Sequence, residues 1–197
     1  MITTLIFDIG SVLLKHKTII TPQLLADTFN IPLSVAEKEY AKIRDDWRIG
    51  KIHYEQVFKL LKSKYNIDFS IEDLKEQYIK KYAQIAIIDE QMVEIVKQLS
   101  SRYSVVALTN TIDIHSDFNY EREFYTIFRK AYISNQTGHK KPDKEAFQDV
   151  LDDIHVTPQE CLLIDDRKDN IQTAKEMHFN TYTFLSLEKF RQFIKTI

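Results

Sequence analysis

A chain of 197 residues, 44% hydrophobic and 28% charged, is long enough for one globular domain, or one domain carrying an insertion, with a sizeable core. Its 27 basic and 29 acidic residues are spread along the chain for a net charge of −2, which excludes the clustered basic excess of a nucleic-acid-binding surface. A single cysteine excludes an intramolecular disulfide, and no apolar run approaches the roughly 20 residues of a membrane span, so a reducing, cytoplasmic setting is expected.

The chain opens on Ile2–Phe7, a β-branched and apolar run of the kind buried on both faces of a sheet, which ends abruptly on Asp8 and turns at Gly10. From about residue 20 to residue 85 the period becomes helical. Thr21-Pro22 reads as a cap with proline at the first helical position, and Ser34 with Glu37 and Ser70 with Asp73 have capping-box spacing. Helical patterns over Ala36–Trp47, Tyr54–Lys64 and Ile71–Tyr82 make this an insertion of about four helices, with a turn at Gly50. A helix at about Asp89–Ser100 follows, then strands at Tyr103–Leu108 and Ala131–Ser134. Pro142 reads as the opening of a helix through Leu151. Cys161–Ile164 is a further apolar strand, Asn170–His178 a helix, Thr181–Leu185 the last strand and Glu188–Lys195 the closing helix. Strands alternating with helices predict an α/β fold with a Rossmann-like, mainly parallel sheet built from residues 1–15 and 86–197, and an α-helical cap domain, 16–85, inserted in it.

Parallel strands share one direction, so Asp8, Thr109 and the pair Asp165-Asp166 emerge on the same sheet edge, where open α/β sheets place their ligands. Gly138-His139-Lys140-Lys141-Pro142 adds a cation just before a helix start. Such a set suits phosphoryl transfer. A carboxylate attacks phosphorus, a hard divalent cation such as Mg²⁺ neutralises clustered carboxylates and substrate oxygens, and a lysine with a hydroxyl–amide pair holds the remaining phosphate oxygens.

The segments Phe-Asp8-Ile-Gly-Ser-Val, Leu-Thr109-Asn-Thr, Lys141-Pro-Asp and Ile-Asp165-Asp166-Arg-Lys-Asp-Asn170, in this order and each at the end of its predicted element, resemble the haloacid dehalogenase-like (HAD) hydrolase superfamily. The resemblance covers nearly the whole chain, because the helical insertion stands where that family carries a C1 cap. It implies a Mg²⁺-dependent phosphatase of small phosphorylated metabolites, such as sugar phosphates, working through an aspartyl-phosphate. Asp8 is then the nucleophile and a metal ligand, with the Gly10 carbonyl and Asp166 as further ligands and Asp165 and Asn170 in support. Thr109, the Asn110 amide and Lys141 bind the phosphate, and Lys141 also neutralises Asp8. One departure matters: the family's phosphatases carry a second Asp, a general acid and base, at the position held here by Gly10. The Asp-x-Gly-x-Val form resembles a branch of the family that includes bacterial α-glucose-1-phosphate phosphatase. It points to substrates with good leaving groups, which need less protonation.

In the cap, Arg44, Trp47 and Arg48 lie around the Gly50 turn, where they face the active site or sit at an exposed helix end; Trp47 and Arg48 are the substrate contacts expected there. His139 is near enough to Lys141 to touch the site. His16, His53, His115, His139, His155 and His178 show no ligand spacing and read as surface or core residues, Cys161 as a buried inert thiol, and Asp169 as a helix cap or an exposed surface residue. The expected partner is a small phosphorylated molecule, with neither nucleic acid nor membrane, and the chain is expected as a monomer or homodimer. Two alternatives compete with the phosphatase: a weak or inactive HAD domain acting as a binding or regulatory module, for which Gly10 speaks, and a metal-independent haloacid dehalogenase, against which the Asp165-Asp166 pair speaks.

Overall fold

A computed structural model of the chain describes residues 1–15 and 21–197. Five strands, β1 (Thr4–Phe7), β2 (Ser104–Thr109), β3 (Lys130–Ile133), β4 (Cys161–Asp165) and β5 (Asn180–Thr183), form one sheet in the order β3-β2-β1-β4-β5. Every pairing is parallel, and β1 lies between β2 and β4 in the registers Thr4↔Ser104 and Thr4↔Cys161. From β1 the chain builds outward on one side through β2 and β3, then crosses to β4 on the other. The C-terminal tip of β1 is therefore the switch point at which a crevice opens.

Around this order run α1 (Thr21–Phe29), α2 (Leu33–Arg48), α3 (Tyr54–Lys64), α4 (Ile71–Ile85), α5 (Glu90–Leu99), α6 (Asp113–Glu121), α7 (Ser134–Thr137), α8 (Lys144–Ile154), α9 (Lys168–Glu176) and α10 (Leu187–Phe193). Alternate residues of β1 point to opposite sides, as the pleat requires. Leu5 and Phe7 join Val93 and Val96 of α5 and Phe190 of α10 on one face, with the Phe7 and Phe190 rings edge to face at 5.8 Å; Ile6 joins Phe147 and Val150 of α8 and Ile171 of α9 on the other. Both faces of the central strands are covered, which is why β1, β2 and β4 read as largely apolar runs.

Helices α1–α4 bury a separate cluster around Phe29, Trp47, Phe58, Leu74 and Tyr78, to which Ile112 and Ile114 of the sheet-bearing part contribute. At the neck of this insert the two crossing segments pair: Leu14 bridges Ile88, the Lys15 N–H donates to the Ile87 carbonyl (2.9 Å) and the Asp89 N–H to that of Leu13 (2.8 Å).

Capping followed the sequence in part. Ser70 and Asp73 form the expected reciprocal box, and Asp89 caps α5. Ser34 does not cap α2, which begins one residue earlier behind Pro32 with no side-chain cap. Pro142 does not open a helix either. The Lys141–Pro142 peptide is cis, α8 starts at Lys144, and residues 138–143 instead form the connection that brings Lys141 to the sheet edge.

Candidate active site

Asp8 follows β1 directly, and its N–H donates to the Ile164 carbonyl of β4 (2.9 Å), so the ladder continues up to the residue that carries the carboxylate. Thr109 is the last residue of β2 and Asp165 the last of β4. Lys141 comes from the connection after α7, and Asn110 fixes it there. The Asn110 amide donates to the Lys141 carbonyl (2.6 Å), and its Oδ1 accepts the Lys141 N–H (2.8 Å). The expectation of a phosphate-facing Asn110 thus concerns its backbone amide, because its side chain is spent on Lys141.

The Lys141 ammonium is 3% exposed and donates to Asp8 Oδ1 (2.8 Å) and Asp165 Oδ2 (2.6 Å). Asp165, fully buried, also accepts the Arg167 N–H (2.8 Å) and both contacts of the Asn170 amide (3.0 and 2.9 Å), so both its oxygens are engaged. Asp166 is half-buried and hydrogen-bonded by the Ser11 side chain. Oxygens of Asp8, Asp165 and Asp166 lie within 4.8 Å of one another. The Gly10 carbonyl accepts the Val12 N–H (2.7 Å), which leaves it a second lone pair.

Three carboxylates against one ammonium leave this buried cluster with an excess of two negative charges. Burial pushes the Asp8 carboxyl up to about 7; Lys141 opposes the shift, and Asp165 and Asp166 add to it. Asp166 is raised as well, by burial and then by Asp165. For Lys141 burial works downward, but Asp165 and Asp8 outweigh it and its pKa is raised, so it stays an ammonium. Hard oxygen donors in an over-negative buried cluster are the donor set of a divalent cation such as Mg²⁺, and the residues fit one.

Beside the cluster lies a cavity of about 170 Å³ between the helical insert and the sheet edge. The sheet side contributes Gly10, Ser11, Thr109, Asn110, Thr111, His115 and Asn119, and the insert contributes Thr21, Tyr40, Arg48 and Tyr82. Among the described residues that line the cavity, Arg48 is the one with a cationic side chain. Among the described residues it makes no hydrogen bond or ion pair with the protein. His115, which lines the cavity from α6, is pushed down to about 3 by burial and then by Arg48, so it is a neutral imidazole. Its ring stacks flat on Tyr82 (3.9 Å, 4°) and shares a hydrogen bond with the Tyr78 hydroxyl (3.0 Å).

Some expected site residues lie elsewhere. Trp47, expected among the substrate contacts, is fully buried among the insert's aromatic residues, and its indole N–H donates to Asp113 Oδ1 (2.7 Å). A helix face that carries Arg48 to the cavity turns its neighbour inward. Arg44 is exposed and pairs with Asp45 (3.2 Å). His139 is exposed and pairs with Asp149 of α8 (2.9 Å), and it makes no hydrogen bond to Asp8 or Lys141. Asp169 pairs with Arg167 and accepts the Asn170 N–H, and Cys161 is buried, its thiol pushed up to about 12 by that burial. His16 lies outside the described residues. Conversely, Tyr40, Tyr82, His115 and Asn119 carry no motif that marks them, Thr21 reads only as a helix cap, and Thr111 lies in the Leu-Thr109-Asn-Thr segment without a role of its own. Only their place on the insert, or directly after Thr109, could have marked them.

The chain belongs to the haloacid dehalogenase-like hydrolase family, whose model matches residues 2–178. Among curated relatives, D-ribitol-5-phosphate phosphatase of Bacteroides thetaiotaomicron is 26% identical over 194 residues, which cover 92% of this chain and 91% of that protein. A HAD family enzyme of the same bacterium, crystallised with magnesium and inorganic phosphate, superposes with a TM-score of 0.78 at 23% identity over 94% of this chain and 96% of that one. A HAD-like family hydrolase from Porphyromonas gingivalis gives a TM-score of 0.75 at 22% identity over 92% and 90% of the two chains. These likenesses bear out the α/β Rossmann-like architecture. Among the described residues, no helix is long and apolar enough to cross a membrane.

Proposed function

We propose that this hydrolase is a phosphatase of small phosphorylated metabolites, sugar phosphates in the first place, with Asp8 as nucleophile and Mg²⁺ as cofactor. The observation that carries the reading is the Lys141 ammonium shared between Asp8 Oδ1 and Asp165 Oδ2. It holds one Asp8 oxygen in place, leaves the other beside Gly10, and offsets part of the charge that would repel a phosphate dianion. The relative that acts on D-ribitol 5-phosphate and the neighbour crystallised with magnesium and phosphate support it.

In this reading Asp8, Asp166 and the Gly10 carbonyl hold the cation, which supplies charge neutralisation to nucleophile and phosphate. Asp8 attacks phosphorus, the ester oxygen departs with the leaving group, and water then cleaves the aspartyl-phosphate to restore Asp8. The Thr109 hydroxyl, the Asn110 N–H and Lys141 hold the phosphoryl oxygens. Asp165 and Asn170 keep the Lys141 ammonium aimed. Residues 16–85 act as a cap that excludes water from the cavity, with Arg48 and the hydroxyls of Thr21 and Tyr40 facing the leaving group. No side chain stands at Gly10 to protonate that leaving group, so anomeric and acyl phosphates are the favoured substrates.

The test compares wild type with Asp8→Asn on a panel of sugar, polyol and acyl phosphates, with Mg²⁺ or EDTA. Release of phosphate by wild type alone, abolished by EDTA, is the expected result. Equal silence of both proteins across the panel would hand the site to the binding-module reading, and hydrolysis undiminished by EDTA would remove the metal from the mechanism.

A further inference from the structure

The segment 47–54, which comprises the turn that joins α2 to α3 and the two helix ends beside it, meets the sheet-bearing part at two points that the catalytic reading does not use. At the first, Asp113 in the opening turn of α6 accepts the Trp47 indole N–H (2.7 Å) and the Tyr54 N–H (2.8 Å) from the insert and the Ile114 N–H (2.9 Å) from its own helix, and it meets His53 Nδ1 at 3.2 Å. This carboxylate is 6% exposed. Burying a charge costs free energy that an isosteric apolar residue would not incur, so a carboxylate held by donors from two parts of the fold is a fastening and not filler. At the second point, Gly50 (φ +73°) runs so close to the Asn135 carbonyl that a Cβ would lie 2.0 Å from that oxygen. Arg48 sits between these two fastenings, next to Trp47, with its guanidinium on the cavity wall. Asp113 itself is only four residues past Thr109, on the same loop-and-helix unit.

We infer that Asp113 is a positioning residue: by clamping Trp47 and Tyr54 it fixes the 47–54 segment against the strand end that bears Thr109, and so sets where the Arg48 guanidinium meets the substrate. The clamp acts on binding through Arg48 and leaves the Asp8–Lys141–Asp165 arrangement untouched. Its kinetic consequence rests on the phosphatase reading above; its structural consequence does not.

The experiment has two arms. In the first, Trp47→Phe, Arg48→Gln and the double variant are assayed for kcat and KM on the best substrate of the panel at saturating Mg²⁺. Trp47→Phe deletes one donor to a carboxylate and should raise KM about tenfold with kcat within about twofold. The double variant should show no more than the Arg48→Gln penalty, because Trp47 has nothing to position once the guanidinium is gone. In the second arm, amide hydrogen exchange is compared between wild type and Asp113→Asn, where the Tyr54 N–H should exchange at least about tenfold faster. An unchanged KM in Trp47→Phe, penalties that multiply in the double variant, or an unchanged Tyr54 amide would each overturn the inference. A wild type that hydrolyses no phosphate ester would instead strike the phosphatase reading, and the exchange arm would then decide the clamp alone.

Discussion

Gly10→Asp is the sharpest probe of the catalytic reading, because it supplies the proton donor that this site lacks. The structure admits the change. Gly10 is exposed, its backbone lies outside the left-handed region, and an added Cβ would meet nothing nearer than Asp8 Oδ2 at 3.6 Å, an ordinary contact. The new carboxyl would therefore stand beside the Asp8 oxygen that Lys141 does not hold. General acid–base catalysis is worth about 10²- to 10⁴-fold in rate. A group placed without its usual surroundings should reach the lower end, so kcat/KM on an unactivated polyol phosphate should rise about 100-fold. On p-nitrophenyl phosphate, whose leaving group departs without a proton, the same variant should gain at most about threefold. The change has a cost. A fourth carboxylate about 4 Å from Asp8 is opposed by at most about 4 kcal/mol at an effective dielectric of about 20, and far less at so exposed a position. Metal-free protein should accordingly unfold at a lower temperature than wild type, and Mg²⁺ should narrow the gap. Parallel assays on the two substrates decide the matter. A gain that is equal on both, or no gain on either, would refute the idea that leaving-group protonation is what this site is missing.

Other perturbations read other parts of the fold. Lys141→Met leaves Asp8 and Asp165 buried without their cation, so metal-free protein should lose about 3–5 kcal/mol of unfolding free energy in urea at pH 7, partly recovered on adding Mg²⁺; an unchanged denaturation midpoint would contradict the charge argument. His115, lowered from 6.5 to about 3 by burial, stays neutral when folded but takes a proton when unfolded between those values. Its contribution is thus complete above pH 6.5 and lost as pH falls, by about 2 kcal/mol at pH 5, and His115→Gln should flatten that slope. Gly50→Ala forces a Cβ into the Asn135 carbonyl at a left-handed backbone position and should destabilise by at least about 2 kcal/mol in equilibrium unfolding, whereas Gly138→Ala, left-handed but with open space around it, should cost less.

What could be read from the sequence divides along a physical line. Strands β1, β2 and β4 are buried on both faces, and α3, α5 and α8 bury apolar stripes, so the pattern of hydrophobic residues carries their existence and most of their bounds, whereas β3 and β5 at the sheet edges are only partly buried. Asp8, Thr109 and Asp165 were legible because their positions at strand ends follow from the parallel sheet, whereas Lys141 was legible only from its motif, since the helix expected at Pro142 begins at Lys144. Helix α6 was not legible, and its composition explains why: the residues it buries are Asp113, Ile114, His115, Ser116 and Asn119, four of them polar. A helix whose inner face is made of hydrogen-bonding groups shows no apolar stripe, and Asp, Ser and Asn elsewhere signal turns and caps. Yet those same residues hold the Trp47 indole, stack on Tyr82 and line the cavity. The feature that hid α6 from hydrophobic periodicity is the one that gives it a function. A polar buried face is stable only where partners from other parts of the chain satisfy it: here Asp113 and His115 meet Trp47, Tyr54, Tyr78 and Tyr82 of the helical insert, while Ser116 meets Asn135 and Asn119 meets Arg122 and Tyr125. Trp47 shows the converse. Its type and its place at the Gly50 turn suggested a substrate contact, but whether an aromatic ring meets ligand or carboxylate depends on Asp113, 66 residues away, which no local pattern around Trp47 could disclose.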